Sequence, residues 1–174
     1  MYTHIRFLKT LLWVGAFSVF SIQAAVFTLT SAAFKDNNPI PSQYTCVGKN
    51  VSPPLAWSGA PTETRSYVLL TIDPDTLPRL GYRVIHWVVF NIPKETQSFA
   101  EGSVKGIEGT NSLKKAAYQG PCPPEGTHHY FFRLFALDAQ LSLPAGAWVP
   151  QVMQAMRGHV LAETVLMGTF NKQG

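Results

Sequence analysis

The stretch Gly120-Pro-Cys-Pro-Pro-Glu-Gly-Thr-His-His-Tyr130 runs straight into Tyr130-Phe-Phe-Arg-Leu-Phe-Ala-Leu137. Its first seven residues hold three prolines and two glycines. Proline fixes φ and removes an amide donor, while glycine opens conformations closed to other residues. A loop so built costs less entropy to order than a flexible one. The second half has the aromatic content of a buried strand. His128 and Tyr130 stand two positions apart, so an extended chain points both the same way. A stiff loop feeding a buried strand can hold an imidazole and a phenol at a fixed place. The other polar outliers, Asp73, Asp75 and His86, are expected to converge there.

The remaining apolar runs are also strand-like. Tyr67-Val-Leu-Leu-Thr-Ile-Asp73 reads as a central strand, apolar on both faces. Val84-Ile-His-Trp-Val-Val-Phe-Asn91 reads as a second, closed by Pro93. Phe27 to Phe34 reads as a short strand with Phe27 and Leu29 inward, Val51 to Trp57 as another, and Thr164 to Phe170 as the last. Trp148 to Arg157 is the best helix candidate, with Val152, Met153 and Met156 expected on its inner face. Pro150 falls in its first turn, where proline is tolerated. Gln97 to Gln119 is polar and punctuated by glycine, and reads as a long surface loop carrying a short strand. Thirteen prolines and thirteen glycines supply the turns of a mainly β chain.

The chain has 174 residues, enough for one domain with its own core. Hydrophobic residues make up 46% and charged residues 14%, which excludes a disordered chain. The formal net charge of +4 includes Arg6 and Lys9. Both lie in a short basic region before an apolar run, Thr10 to Phe20, and the small residues Ala24-Ala25. That order is the pattern of a secretory signal, and the apolar run is shorter than the ~20 residues a membrane-spanning helix needs. Residues 1–24 are therefore expected to be a removed signal peptide and 25–174 the mature domain, in the periplasm or secreted. Without Arg6 and Lys9 the charge falls from +4 to +2, too little to argue for nucleic acid. The two cysteines, Cys46 and Cys122, form no CxxC pair. In an exported chain they are expected to form one disulfide, the alternative being two buried thiols.

Asp73-Pro-Asp75 ends an apolar strand. Asp and Pro favour turns, so a plain turn is one reading. Two carboxylates meeting a cation is the other. His86 sits inside an apolar strand and must find a partner, since a buried unpaired polar group costs roughly 1–3 kcal/mol. Asp73 or Asp75 is the expected partner. Of His128 and His129, which alternate faces, His128 is expected in the site because it shares its direction with Tyr130. Two Asp and two His could also hold a metal, but no HExxH or similar ligand spacing is present. No GxSxG elbow, GxGxxG or P-loop occurs either, so nothing local points to nucleophilic or nucleotide-dependent catalysis, and neither an enzyme nor a cofactor is expected.

These pieces, in this order, resemble the phosphatidylethanolamine-binding protein family, in particular its bacterial branch, called Raf-kinase-inhibitor-like. The matching stretches are Ser52-Pro-Pro-Leu-Ala-Trp57, Asp73-Pro-Asp75, His86-Trp-Val-Val-Phe-Asn91-Ile-Pro93, Gly120 to Gly126, and His128-His-Tyr130 through Ala136-Leu-Asp138. The resemblance implies an antiparallel β-sandwich-like fold with one or two C-terminal helices. It also implies a small anion-binding pocket at one end of the large sheet. Carried over residue by residue, that pocket is lined by Asp73, Asp75, His86, Gly120, Pro121, His128 and Tyr130. The ligand implied is phosphate, a phosphorylated head group or another small anion. Some members of the family inhibit kinases or proteases, so a protein target and a homodimer stand beside the anion as partners to test. A weak phosphoester hydrolase is the further alternative. Three departures stand out. Asp75 is followed by Thr76-Leu-Pro78 where relatives often read Ala-Pro. His129 stands where many have Arg. Asn111-Ser-Leu-Lys114 replaces a usual Asn-x-Phe-Gly.

Overall fold

The computed structural model describes residues 25–172. The expected signal segment, 1–24, lies outside the described residues. In chain order the elements are β1 (Thr28–Thr30), β2 (Asn38–Pro39), β3 (Leu55–Ser58), β4 (Ser66–Asp73), α1 (Leu77–Leu80), β5 (Val84–Pro93), β6 (Ser98–Phe99), β7 (Ile107–Glu108), β8 (Thr127–Leu137), α2 (Val149–Ala155) and β9 (Val160–Asn171). They form two sheets. A small one has the order β1-β3-β6, and a large one the order β2-β9-β8-β4-β5-β7. All pairings are antiparallel except the short parallel contact of β2 with β9. The fold is thus mainly β, an antiparallel sandwich with a mixed edge.

The strand with both faces apolar became the middle of the large sheet. All eight residues of β4 are buried, between β5 and β8. One core lies between the two sheets, where Leu29, Trp57 and Phe99 of the small sheet meet Tyr67, Leu69, Trp87, Phe132 and Leu134 of the large one. A second core covers the opposite face, where Val68, Leu70, Val88 and Phe90 pack under Val149, Val152 and Met156. Each such side chain, fully buried, contributes roughly 1.5–3 kcal/mol.

α2 is the expected C-terminal helix, with one correction. Val149, Val152 and Met156 are buried, but Met153 is 50% exposed. Positions i, i+3 and i+7 share a helix face, whereas i+4 here turns toward solvent. The Gln151 side chain accepts the Trp148 amide at 2.9 Å and closes the first turn. α1 was not expected. It is a single turn in the β4–β5 connection, with Gly81 (φ 75°) in the left-handed conformation that ends it. The first strand is shorter than expected, and the 97–119 region carries two short strands, β6 and β7, rather than one.

β5 also departs from simple alternation. Thr71 pairs with Trp87 and Ile72 with Ile85, which leaves His86 as the extra residue of a bulge. In consequence Ile85 and Val88 share one core while Trp87 and Val89 share the other. His86 therefore does not share a face with Val88, as strict period two would have it. A bulge re-aims a side chain in this way.

Candidate functional site

β4 runs antiparallel to both β5 and β8, so the end of β4 meets the beginnings of the other two. Asp73 pairs with Val84, and Ile72 with Phe131. That register gathers Asp73, His86 and the His128–Tyr130 segment at one end of the large sheet. A cavity of about 690 Å³ opens there, lined by Asp73, Asp75, His86, Gly120, Cys122 and His128, among others. Pro121 and Tyr130, also expected in its lining, are buried and do not line it, though Tyr130 packs against the His86 and His128 rings.

The His–Asp pairing differs from the expected one. Asp73, 2% exposed, accepts a hydrogen bond from His128 Nδ1 at 2.7 Å. His86 Nδ1 instead donates to the carbonyl oxygen of Gln119 at 2.8 Å. The reason is the bulge, which turns the His86 ring toward the 119–120 strap. Burial disfavours its cation and lowers its pKa from the usual histidine value, against the opposing pull of the Gln119 carbonyl and Asp73. A carbonyl oxygen can only accept, so the proton of neutral His86 sits on Nδ1 and Nε2 presents a lone pair. His128 likewise spends its Nδ1 on Asp73. Among the described residues, neither Nε2 makes a hydrogen bond, although the Gly120 backbone carbonyl, like that of Gln119, favours the His86 cation.

Asp75 is the outer member of the pair. Its Oδ2 accepts from both the backbone N–H and the ring Nδ1 of His129, at 2.7 and 2.8 Å. Partial burial raises its pKa, but these His129 hydrogen bonds outweigh it and hold the carboxyl below its ordinary range. As alternation of faces predicts, His128 and not His129 lines the cavity, and His129 acts only through Asp75. One ligand atom each from Asp73, Asp75 and His128 lie within 4.8 Å of one another. The two carboxylates are nonetheless each engaged by a histidine.

Tyr130 lies against both rings, edge-on to His86 at 5.3 Å and near-parallel to His128 at 6.5 Å. Its hydroxyl is buried, with the Asp73 carboxylate and the Cys122 backbone amide as its polar neighbours, neither in full hydrogen-bond geometry. Burial, and then the nearby Asp73 carboxylate, raise its pKa, so it stays a phenol.

The Gly-Pro strap is tied down by hydrogen bonds the sequence did not foretell. Gly120 N donates to Asn50 Oδ1 at 2.7 Å, and Cys46 N to the Pro121 carbonyl at 3.1 Å. Gly120 is required by space, because a Cβ there would collide with the Tyr44 carbonyl oxygen. Cys46 and Cys122 are joined in a disulfide, as expected. Closing a loop of 76 residues constrains the unfolded chain by about 4.5 kcal/mol in the chain-entropy account. Asn111, fully buried, donates to the carbonyls of His86 and Ala117 and accepts from the amides of Leu113 and Lys115. Its only sequence signal was the Asn-x-x-Lys departure. Lys114 stands there at φ 61°, the left-handed region that favours glycine.

The phosphatidylethanolamine-binding protein family model matches residues 30–171. The chain belongs to that family. A UPF0098 protein of Methanothermobacter thermautotrophicus is 44% identical over 154 residues, covering 83% of this chain and 98% of its own. A crystal structure of a phosphatidylethanolamine-binding protein homologue from Chlamydia trachomatis, CT736, superposes with a TM-score of 0.81 at 40% identity, covering 87% of this chain and all of the other. Escherichia coli YbcL, described as a member of the mammalian family, gives 0.78 at 26% identity, over 84% and 99% of the two chains.

Proposed function

We propose that this family member is an exported protein that binds a small anion, phosphate or a phosphorylated head group, in the cavity at the end of the large sheet. The observation that carries the reading is the pair of uncommitted Nε2 atoms on His86 and His128, both rings lining one cavity. Neutral, they accept from a protonated phosphate oxygen; protonated, they donate to an anion. The engagement of Asp73 by His128 and of Asp75 by His129 offsets the repulsion that two carboxylates would exert on an anion. The cysteines at the cavity are oxidised to each other, so neither serves as a thiolate nucleophile. Export is supported by that disulfide and by the signal-like N-terminal sequence.

Calorimetric titration with sulfate, inorganic phosphate and phosphoethanolamine tests the reading. Saturable one-to-one binding, abolished in the double variant His86→Asn/His128→Asn, is expected. Binding that survives in the double variant, or no binding by the wild type, overturns it. Native mass spectrometry of protein purified without added phosphate separates a retained head group from free phosphate.

A further inference from the structure

The disulfide is more than a distant staple. Cys46 and Cys122 both line the cavity, and both are exposed to solvent. Exposed disulfides are the ones external thiols reach, and are typically the labile or regulatory ones. The wall beyond Cys122 starts at this bond. Pro123, Pro124 and Glu125 line the cavity, yet among the described residues they make no hydrogen bond. Two of them have no N–H to give. The strap on the other side of Cys122 is held without it, through Gly120 to Asn50 and Pro121 to Cys46. Besides the packing of the buried Pro123, the 123–126 segment is therefore held by the Cys122 sulfur at one end and by β8 at the other.

We propose that Cys46–Cys122 is a thiol–disulfide exchange site that sets the affinity of the cavity, high when oxidised and low when reduced. The proposal rests on the anion-binding reading of that cavity. The co-reactant is a small thiol or dithiol. Its thiolate attacks one of the two sulfurs, the S–S bond breaks, and the other cysteine leaves as a thiolate that takes up a proton. A second thiol resolves the mixed disulfide. Two thiols are oxidised to one disulfide, and the protein's cysteine pair gains the two electrons. Reduction frees the 123–126 wall while the strap through Gly120 stays docked. Linkage is reciprocal, so an anion that prefers the oxidised form protects it from reduction by the same factor.

The test uses the natively oxidised full-length mature protein, dithiothreitol and sulfate. Thiol release is followed with and without saturating sulfate, and sulfate affinity is measured for the oxidised and the anaerobically reduced protein. Reduction is expected to be first order in dithiothreitol without denaturant, and to leave the far-UV circular dichroism unchanged. Sulfate affinity is expected to fall roughly tenfold on reduction, with a matching shift of the thiol–disulfide equilibrium by sulfate. Reduction that saturates with dithiothreitol and accelerates in urea shows that global unfolding is required, and overturns the proposal. Equal affinities of the two forms overturn redox control while leaving the anion site standing. Oxidised protein that binds no sulfate overturns both.

Discussion

Asp73 takes its hydrogen bond from His128, 55 residues further along the chain, and not from His86 on the adjacent strand. The same carboxylate also closes the turn that follows it, since its Oδ1 accepts the Asp75 amide at 2.9 Å. The turn and the site are therefore one structure. Asp73 is 2% exposed, so removing its histidine strands a buried charge. His128→Ala is expected to destabilise by about 2–3 kcal/mol, less than a fully buried pair because the cavity admits solvent. His128→Asn restores a donor and should recover part of that. The exposed counterpart, His129→Ala, should cost no more than about 1 kcal/mol. Urea unfolding of the three variants decides the matter, and equal losses at 128 and 129 would refute the distinction.

Lys114 occupies a left-handed position, and the Asn111 side chain holds the turn around it. A non-glycine residue pays roughly 1–2 kcal/mol there. Glycine removes that strain but adds about 0.4–1 kcal/mol of unfolded-state entropy. Lys114→Gly should therefore stabilise the protein by about 0.5–1 kcal/mol, visible as a higher midpoint with an unchanged urea slope. A lower midpoint would mean that the Lys side chain contributes a contact of its own.

The core strands were legible because each carries a strong local signal. Tyr67 to Asp73 is apolar at nearly every position, which only a strand buried on both faces can use. The disulfide was legible from the cysteine count and the signal-like N-terminal pattern. The partner of His86 was not, because it depends on a one-residue bulge that no local pattern announces. The bond of His129 to Asp75 was not legible for a related reason. Alternation places its ring away from His128, but Asp75 lies beyond the strand end, where a turn carries it to the outer face. Asn50 and Asn111 each act through backbone atoms remote in sequence, and single polar residues in loops look alike until those backbones are placed.

Burial makes His86 a pH-dependent burden on the fold. Its pKa is lowered in the folded state, while in the unfolded chain a histidine takes up a proton near pH ~6.5. Below that pH the unfolded chain binds more protons, so stability rises with pH across the window and is lost as pH falls from ~6.5 toward the depressed folded value. Wild-type unfolding free energy should decline between pH 7 and 5, and His86→Asn should decline less. Parallel profiles for the two proteins would show that His86 does not carry the dependence.

Sulfate binding should draw protons into the cavity. His86 gives its Nδ1 proton to the Gln119 carbonyl and His128 gives its own to Asp73, so each neutral ring offers only a lone pair at Nε2. Sulfate near neutral pH has no proton to donate, and a lone pair facing it is repulsive. Binding therefore selects the protonated rings. For His86 this works against the burial that lowers its pKa. Linkage then fixes the sign: each proton taken up with the anion steepens affinity by up to roughly tenfold per pH unit as pH falls. Sulfate affinity should increase from pH 8 to about 5.5, where histidine ordinarily titrates. Most of that change should be lost in His128→Ala. Phosphate behaves differently, because its singly protonated dianion can donate to one Nε2 directly, so at pH 8 it should bind more tightly than sulfate and vary less. Calorimetry at pH 7 in two buffers of different ionisation enthalpy counts the protons. Zero uptake with sulfate, or a pH profile unchanged by His128→Ala, would mean that the anion is not held by the imidazoles.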